Sequence, residues 1–159
     1  MPRWRALTLG ESCPICAQGR PRDIVAELET SWVTTHERAP MRGYACLVFR
    51  RHALEFHDLS ADEAAAYIRD VQKLSAAVAS ITGAVKMNYE VHGNTLPHLH
   101  MHFFPRYRGD PFEGGPIDPK RIHSPVYSGE EYRSFVERLR DALLLADRAA
   151  QVEHGERAP

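Results

Sequence analysis

The sequence predicts an α+β fold in which five short strands form one sheet and a long helix packs on one face of it. Three observations carry this prediction. Five apolar or alternating segments are bounded by turn residues, a long amphipathic segment separates the third from the fourth, and the last segment alternates histidines with large apolar side chains. The length of 159 residues fits a single domain, taken as residues 1–159.

The first three predicted strands lie before residue 50. Asp23–Leu28 and Ser31–Thr35 are rich in apolar and β-branched residues, and the two polar residues between them predict a hairpin. Gly43–Phe49 is a nearly continuous apolar run, which is typical of a buried strand. Cys46 within this run is expected to be a packing residue.

The long helix is predicted to begin after Ser60 and to end at Gly83. Ser60 and Glu63 have the spacing of a capping box, in which each side chain accepts from the backbone N–H of the other residue. Apolar residues then recur at helical spacing on one stripe: Tyr67, Val71, Leu74, Val78 and Ile81. This stripe is the face that is expected to cover the sheet.

The last two predicted strands are Ala84–Val91 and His98–Pro105. Because successive side chains in a strand point to opposite faces, the second of them presents two different surfaces. Leu99, Met101 and Phe103 are predicted to face the helix, and the other face carries His98, His100 and His102. Three imidazoles in alternation make a poor packing surface, so a chemical role is favoured over a core role.

The remainder of the chain is predicted to support this core, which spans about residues 12–106. Residues 107–127 are rich in proline and glycine and are predicted to form an irregular loop. A second capping box, Ser128 with Glu131, opens a C-terminal helix over residues 128–150, and the tail from Gln151 is polar.

Composition excludes several functional classes. A net charge of -1 with 26% charged residues gives no general electrostatic reason to bind nucleic acid or a membrane. No apolar run approaches the roughly 20 residues that span a bilayer, and no signal-peptide core follows the first residues, so the cytoplasm is expected. Three cysteines are too few for a secreted disulfide framework.

Cys13 and Cys16 form a Cys-x-x-Cys pair near the N-terminus. Such a pair is a zinc half-site, a redox pair or two idle thiols in a reducing compartment. Thioredoxin-like chemistry requires the pair to follow a strand, and nothing before Cys13 has that pattern. Zinc requires two further ligands.

The segment His98-Leu99-His100-Met101-His102-Phe103-Phe104 resembles the signature of the histidine triad (HIT) superfamily. The resemblance extends to the glycine-led strand from Gly43, which ends in Arg51-His52, and to the turn at Phe56-His57-Asp58. It implies a mainly antiparallel five-stranded sheet with one long helix packed on it, and a homodimer.

The resemblance also implies a reaction. His100 would attack the α-phosphate of a nucleotide and form a covalent nucleotidyl-histidine, while His98 and His102 position the phosphate or hold the site together. A His98 that binds zinc is not available to the phosphate. The expected activity is that of a nucleotide hydrolase or nucleotidyltransferase acting on a dinucleoside polyphosphate, a nucleoside phosphoramidate or an acyl nucleotide. The leaving group, and the choice between hydrolysis and transfer to phosphate, stay open. No catalytic metal is expected.

Further site residues are assigned by matching positions with the family. A structural zinc site would use Cys13, Cys16, His52 and His98. Substrate contacts would come from Thr95, Asn88, Asn94 and Arg106. Relatives that bind purine nucleotides usually carry an aspartate before the glycine-led strand, and none is present here. Either Glu37 substitutes for it or the nucleoside pocket is altered.

Two other functions fit the same residues. His-x-His on a strand is also a catalytic zinc pattern, so a metal-dependent hydrolase that uses the histidines as ligands is one alternative. The other is a nucleotide-binding protein with little turnover.

Overall fold

A computed structural model describes residues 2–121 and 125–155 of the chain. Its centre is a five-stranded sheet in which every neighbouring pair of strands is antiparallel. The spatial order is β1-β2-β3-β5-β4, so β1 and β4 are the two edges. The strands are β1 Ile24–Glu27, β2 Ser31–Thr34, β3 Ala45–Phe49, β4 Lys86–Val91 and β5 His100–Arg106. The predicted α+β architecture is confirmed.

The main core lies between one face of this sheet and two long helices. Met101 and Phe103 of β5 point into it, and Leu99 joins them just before the strand begins. Tyr67, Leu74 and Val78 of the long helix α3 (Ala61–Thr82) are fully buried against them. The predicted division of the last strand into an apolar face and a histidine face is therefore confirmed for the residues within β5.

The ends of α3 follow from its capping residues. The Ser60 hydroxyl accepts from the Glu63 backbone N–H at 3.2 Å, and the Glu63 carboxylate accepts from the Ser60 N–H at 2.9 Å. At the other end Gly83 adopts φ 67°, a left-handed conformation that costs glycine little, and its N–H donates to Ala79. Both predicted boundaries are confirmed.

The C-terminal helix α4 (Gly129–Gly155) packs on the same side of the sheet as α3. Phe135, Leu139 and Leu143 bury one stripe of it in the main core. The predicted capping box is present, since Ser128 and Glu131 exchange side-chain to backbone hydrogen bonds. The helix continues past its predicted end near residue 150.

Two N-terminal helices were not predicted. α1 (Pro2–Thr8) and α2 (Pro14–Gln18) are too short to show a helical period in the sequence. α1 is attached to the fold by the buried side chain of Leu7 and by the hydrogen bond that the Thr8 carbonyl oxygen accepts from His52. Tertiary contacts rather than local propensity therefore place this arm.

The predicted loop after β5 has more structure than expected. Phe112 and Ile117 are buried in a cluster with Met41 and Phe104, and a short 3₁₀ helix follows at Pro119–Arg121. Residues 122–124 of the predicted loop lie outside the described residues. Within the described part of the chain, no helix is both long enough and apolar enough to cross a membrane.

Candidate active site

The face of the sheet opposite the helices carries His100 and His102. In the register of β3 and β5, His100 lies opposite Val48 and His102 lies opposite Cys46. The centroids of the two imidazole rings are 4.8 Å apart, with planes at 85°. Both residues are partly exposed, so a ligand can reach them from solvent.

The hydrogen bonding of His100 fixes which nitrogen is free. Its Nδ1 lies 2.6 Å from the backbone carbonyl oxygen of His98. A carbonyl oxygen can only accept, so Nδ1 carries the proton and donates it. The lone pair of the neutral ring is therefore on Nε2, which makes this nitrogen a nucleophile.

His102 is held by Tyr44, a residue that the sequence analysis did not select. The Tyr44 hydroxyl lies 2.8 Å from Nδ1 of His102. Burial raises the pKa of Tyr44, so the phenol keeps its proton. When the phenol donates this proton to Nδ1, the N–H of His102 lies at Nε2. Burial and the nearby His100 and His92 lower the pKa of His102 to about 4. His102 is thus a neutral hydrogen-bond donor at physiological pH.

His98 differs from the other two histidines in its position and in its contacts, which are those of the predicted zinc ligand. It precedes β5, is 1% exposed and is turned away from His100 toward the two N-terminal cysteines. Its Nε2 lies 2.8 Å from the Phe49 carbonyl oxygen, so Nε2 donates and Nδ1 keeps its lone pair. Burial lowers the pKa of His98 and favours this neutral form. His98 therefore has the geometry of a metal ligand.

Four side chains form one cluster at this point: Cys13, Cys16, His52 and His98. The two histidine Nδ1 atoms are 3.4 Å apart, and the sulfur to Nδ1 distances are 3.5 Å from Cys13 to His98, 3.4 Å from Cys16 to His52 and 3.7 Å from Cys16 to His98. A tetrahedral zinc ion with bonds of about 2.3 Å to sulfur and about 2.0 to 2.1 Å to nitrogen requires edges of about 3.5 Å and 3.3 Å. These four separations match the edges of such a tetrahedron, and all four ligand atoms lie within 4.8 Å of one another.

The surroundings of the cluster also suit a metal. His52 Nε2 lies 3.0 Å from the Thr8 carbonyl oxygen at the end of α1, which orients the ring with Nδ1 toward the cysteines. Gly10 adopts φ 80° beside this ring, and a Cβ there would lie 3.2 Å from the imidazole. Burial and the adjacent Cys13 raise the pKa of the Cys16 thiol to about 11, so a bound cation is needed to hold both sulfurs as thiolates.

The cysteine pair does not have the setting of a redox enzyme. Cys13 is fully buried and precedes the short helix α2, but the element before it is the helix α1 and not a strand. Ile15, between the cysteines, packs on Trp32 and Val48 of the sheet. The segment that carries Cys13 and Cys16 therefore attaches the N-terminal arm to the histidine face of the sheet. Cys46 is buried in the same patch, as predicted.

The predicted substrate contacts lie at different distances from the histidines. Asn88 is half-buried on β4, on the histidine face and opposite Phe104. Asn94 and Thr95 are exposed in the loop before His98, and Asn94 lines a cavity of about 350 Å³. That these three residues bind the substrate remains a prediction.

Arg106 and Glu37 also stay predictions as substrate contacts, and the structure gives each of them other surroundings. The guanidinium of Arg106 is bound by the Asp110 carboxylate at 2.8 and 3.0 Å and by the carbonyl oxygens of Phe112 and Gly115, so a phosphate would have to displace these partners. Arg106 holds the following loop instead. Glu37 lines a cavity with Asp23 and Tyr132 near the start of α4, which is the helix side of the sheet.

Two further polar residues reach the histidine face and were missed. Glu90 lies directly opposite His102 in the register of β4 and β5, and His92 follows two residues later with its ring 5.9 Å from that of His102. The signal was present in the sequence, because Asn88, Glu90 and His92 alternate and must share a face if the strand extends to residue 92.

Comparisons with known proteins agree with this geometry. A family model described as the HIT domain matches residues 18–109. A histidine triad protein from Bradyrhizobium japonicum is 28% identical, with a TM-score of 0.67 over 76% of this chain and 89% of its own. One from Marinobacter aquaeolei VT8 is 27% identical, with a TM-score of 0.68 over 77% of this chain and 89% of its own. A Zn-bound histidine triad family protein from Mycobacterium smegmatis has the same fold at 21% identity, with a TM-score of 0.63 over 87% of this chain and 98% of its own. No curated protein matches the chain.

Proposed function

The chain belongs to the HIT family, and from this premise we propose that it is a nucleotide hydrolase or nucleotidyltransferase that acts through a covalent nucleotidyl-His100. One observation carries the proposal. The hydrogen bond from His100 Nδ1 to the His98 carbonyl oxygen leaves Nε2 unprotonated on an accessible face of the sheet. The substrate class is a dinucleoside polyphosphate, a nucleoside phosphoramidate or an acyl nucleotide.

The reaction has two displacements at phosphorus. In the first, Nε2 of His100 forms a bond to the α-phosphorus as the bond to the leaving group breaks. In the second, water or phosphate attacks the same phosphorus and the bond to His100 breaks. His102 donates its Nε2 hydrogen to a phosphate oxygen, where negative charge shifts during transfer.

The Cys13, Cys16, His52 and His98 cluster is proposed to bind a structural zinc ion. The fit of the four ligand atoms to tetrahedral edges supports this, as does the bound zinc named for the Mycobacterium smegmatis relative. The ion supplies positive charge that holds both cysteines as thiolates. The protein ligands tie the N-terminal arm to the sheet and fix the carbonyl of His98, which orients His100. Such a cluster is suited to the reducing cytoplasm.

The alternative with a catalytic metal is less well supported. His98 Nδ1 lies in the cysteine cluster, while Nδ1 of His100 and of His102 are engaged by a carbonyl and by Tyr44. The three rings therefore do not converge through these nitrogens on one ion. Zinc content separates the two hypotheses, because His102→Ala should keep the ion if the cluster binds it and lose it if the triad does.

A homodimer is proposed from the exposed edge of the sheet. β4 is an edge strand, and apolar side chains are exposed along it and on the adjacent face of α3: Ile68, Val85, Tyr89 and Val91. An unpaired edge with apolar neighbours is a surface for sheet extension. Light scattering on the purified protein should give twice the mass of 18.0 kDa, and Val91→Lys should reduce it.

Turnover with a panel of substrates tests the proposed function. The panel contains diadenosine polyphosphates, an adenosine phosphoramidate and an acyl adenylate, each with wild type and His100→Ala. We expect AMP from at least one substrate with wild type and none with the variant. Nucleotide binding without turnover by wild type would support the alternative of a binding protein and refute the enzyme.

A further inference from the structure

Beside the two active-site histidines lies a histidine–carboxylate pair that the mechanism above does not use. Glu90 and His92 stand at alternate positions at the end of β4, and the His92 Nε2 is 3.1 Å from a carboxylate oxygen of Glu90. Glu90 is directly opposite His102 in the sheet register. The pair therefore belongs to the same face as the nucleophile.

The rings of His92, His102 and His100 form a row. The centroids of His92 and His102 are 5.9 Å apart and those of His102 and His100 are 4.8 Å apart. His92 is thus the next imidazole after the one that is placed to donate to the phosphate. It is 53% exposed, so it can exchange protons with solvent between turnovers.

His92 also borders a space that can hold a leaving group. A cavity of about 350 Å³ is lined by His92 together with Trp4, Leu54 and Asn94. The titratable and charged groups that face His92 are Glu90 on its own strand, His102 on β5 and Glu55 across the cavity. His102 is neutral, so the two carboxylates leave a net negative charge around His92.

An ordinary surface ion pair does not explain this placement. A bare carboxylate opposite His102 would repel a bound phosphate, and a cationic partner removes that repulsion. His57 with Asp58 gives the contrast: its Nε2 is 3.8 Å from the carboxylate, and its side chain is 82% exposed in a turn. Of these two pairs, the one with Glu90 has a ring contact with an active-site histidine.

We propose that His92 is the general acid for the leaving group, and that Glu90 positions it; this inference rests on the function proposed above. As Nε2 of His100 bonds to the α-phosphorus, the bond from phosphorus to the leaving oxygen or nitrogen breaks. The imidazolium of His92 gives its proton to that atom. In the second displacement neutral His92 takes a proton from the attacking water, the bond from phosphorus to His100 breaks, and the starting protonation state returns.

The test varies the leaving group. The 4-nitrophenyl ester of AMP loses a stable anion and needs no proton, whereas an alkylamine phosphoramidate of AMP expels a strong base and needs one. For His92→Gln we expect kcat/KM to fall about 100-fold with the phosphoramidate and less than about 3-fold with the nitrophenyl ester. An equal loss with both substrates, or no loss with the phosphoramidate, would overturn the assignment.

Control variants separate this inference from its premise. His57→Gln changes another exposed histidine that pairs with a carboxylate and should leave both rates unchanged. If wild type hydrolyses the nitrophenyl ester and His100→Ala does not, the proposed function stands and His92→Gln decides the inference. If wild type hydrolyses neither substrate, the proposed function fails and the inference fails with it.

The role of Glu90 has its own readout. With Glu90→Gln, kcat/KM should fall with the phosphoramidate and stay nearly unchanged with the nitrophenyl ester, because His92 is no longer held in place by the carboxylate. A merely structural role for Glu90 would lower both rates equally. Thermal melting of each variant confirms folding, and the exposure of His92 predicts little change.

Discussion

Removal of the Cys13 thiol gives the sharpest test of the zinc cluster. Cys13→Ser removes one of four ligands from a buried site and leaves Cys16, His52 and His98 without a stable tetrahedral ion. The purified wild type should contain about one zinc ion per chain, and the variant should contain little. Cys46→Ser is the matched control, because Cys46 is a buried cysteine outside the cluster.

The size of the effect follows from the chain that the ion closes. Cys16 is 36 residues from His52 and 82 residues from His98. A cross-link over 36 residues removes about 4 kcal/mol of unfolded-chain entropy at 25 °C, and one over 82 residues removes about 4.5 kcal/mol. At about 2 to 4 °C per kcal/mol for a chain of this size, loss of the ion should lower Tm by about 10 °C.

The assay is thermal unfolding followed by circular dichroism, with and without a chelator. The chelator should lower the Tm of wild type and of Cys46→Ser by the same amount, and it should not affect Cys13→Ser. A wild-type protein without zinc, whose Tm is unchanged by the chelator, would refute the reasoning. So would a Cys13→Ser variant that keeps its zinc.

Three other predictions follow from single contacts. Gly43→Ala should lower the free energy of unfolding, measured in urea, by about 2 kcal/mol or more, because φ is 80° and the new Cβ would lie 2.6 Å from a threonine methyl. Gly83→Ala is the control: φ is 67° but the new Cβ would meet no atom, so the free energy of unfolding should fall by about 1 kcal/mol. Tyr44→Phe should lower kcat about tenfold with little change in Tm, because the hydrogen bond that sets the His102 tautomer is lost. The Arg106 guanidinium holds the pKa of the Asp110 carboxyl at about 2, below the ordinary 3.8. The free energy of unfolding should therefore fall as the pH drops from about 4 to 2. Asp110→Asn should make this pH dependence less steep, and an unchanged pH dependence would contradict the ion pair.

The sheet and the long helix could be predicted because their signals are local. The capping box at Ser60 and Glu63 and the glycine at position 83 define both ends of α3 without tertiary information. Alternation in Met101, His102 and Phe103 assigns the two faces of β5. Each of these features depends on the local backbone geometry of residues that are close together in the sequence.

The sequence predicts the site less well where contacts between distant segments determine the position of a side chain. Alternation placed His98 beside His100, but Leu99 donates its N–H to Ala53 and the strand begins only at His100. The bend before the strand turns His98 toward the cysteines. The sequence leaves Arg106 available for phosphate, because it does not show that the Asp110 carboxylate binds the guanidinium.

Tertiary contacts also explain why the sequence did not identify the remaining site residues. Tyr44 becomes relevant only through its hydroxyl on His102, and α1 only through its carbonyl on His52. His92 and Glu90 alternate in the sequence. This alternation identifies the face of the sheet that they share, but not the side chains that they contact. A sequence therefore predicts which side chains share a surface more readily than which of them meet.

The central claim is that His100 becomes covalently attached to a nucleotide. The most direct measurement is a mass spectrum of the intact protein, quenched in the first turnovers with an adenosine dinucleotide or an adenosine phosphoramidate, followed by peptide mapping. We expect a gain of one adenylyl group on His100, absent in His100→Ala and accumulating when the second displacement is slowed. Rapid turnover by wild type with no adduct on any residue, or turnover that survives His100→Ala, would contradict it.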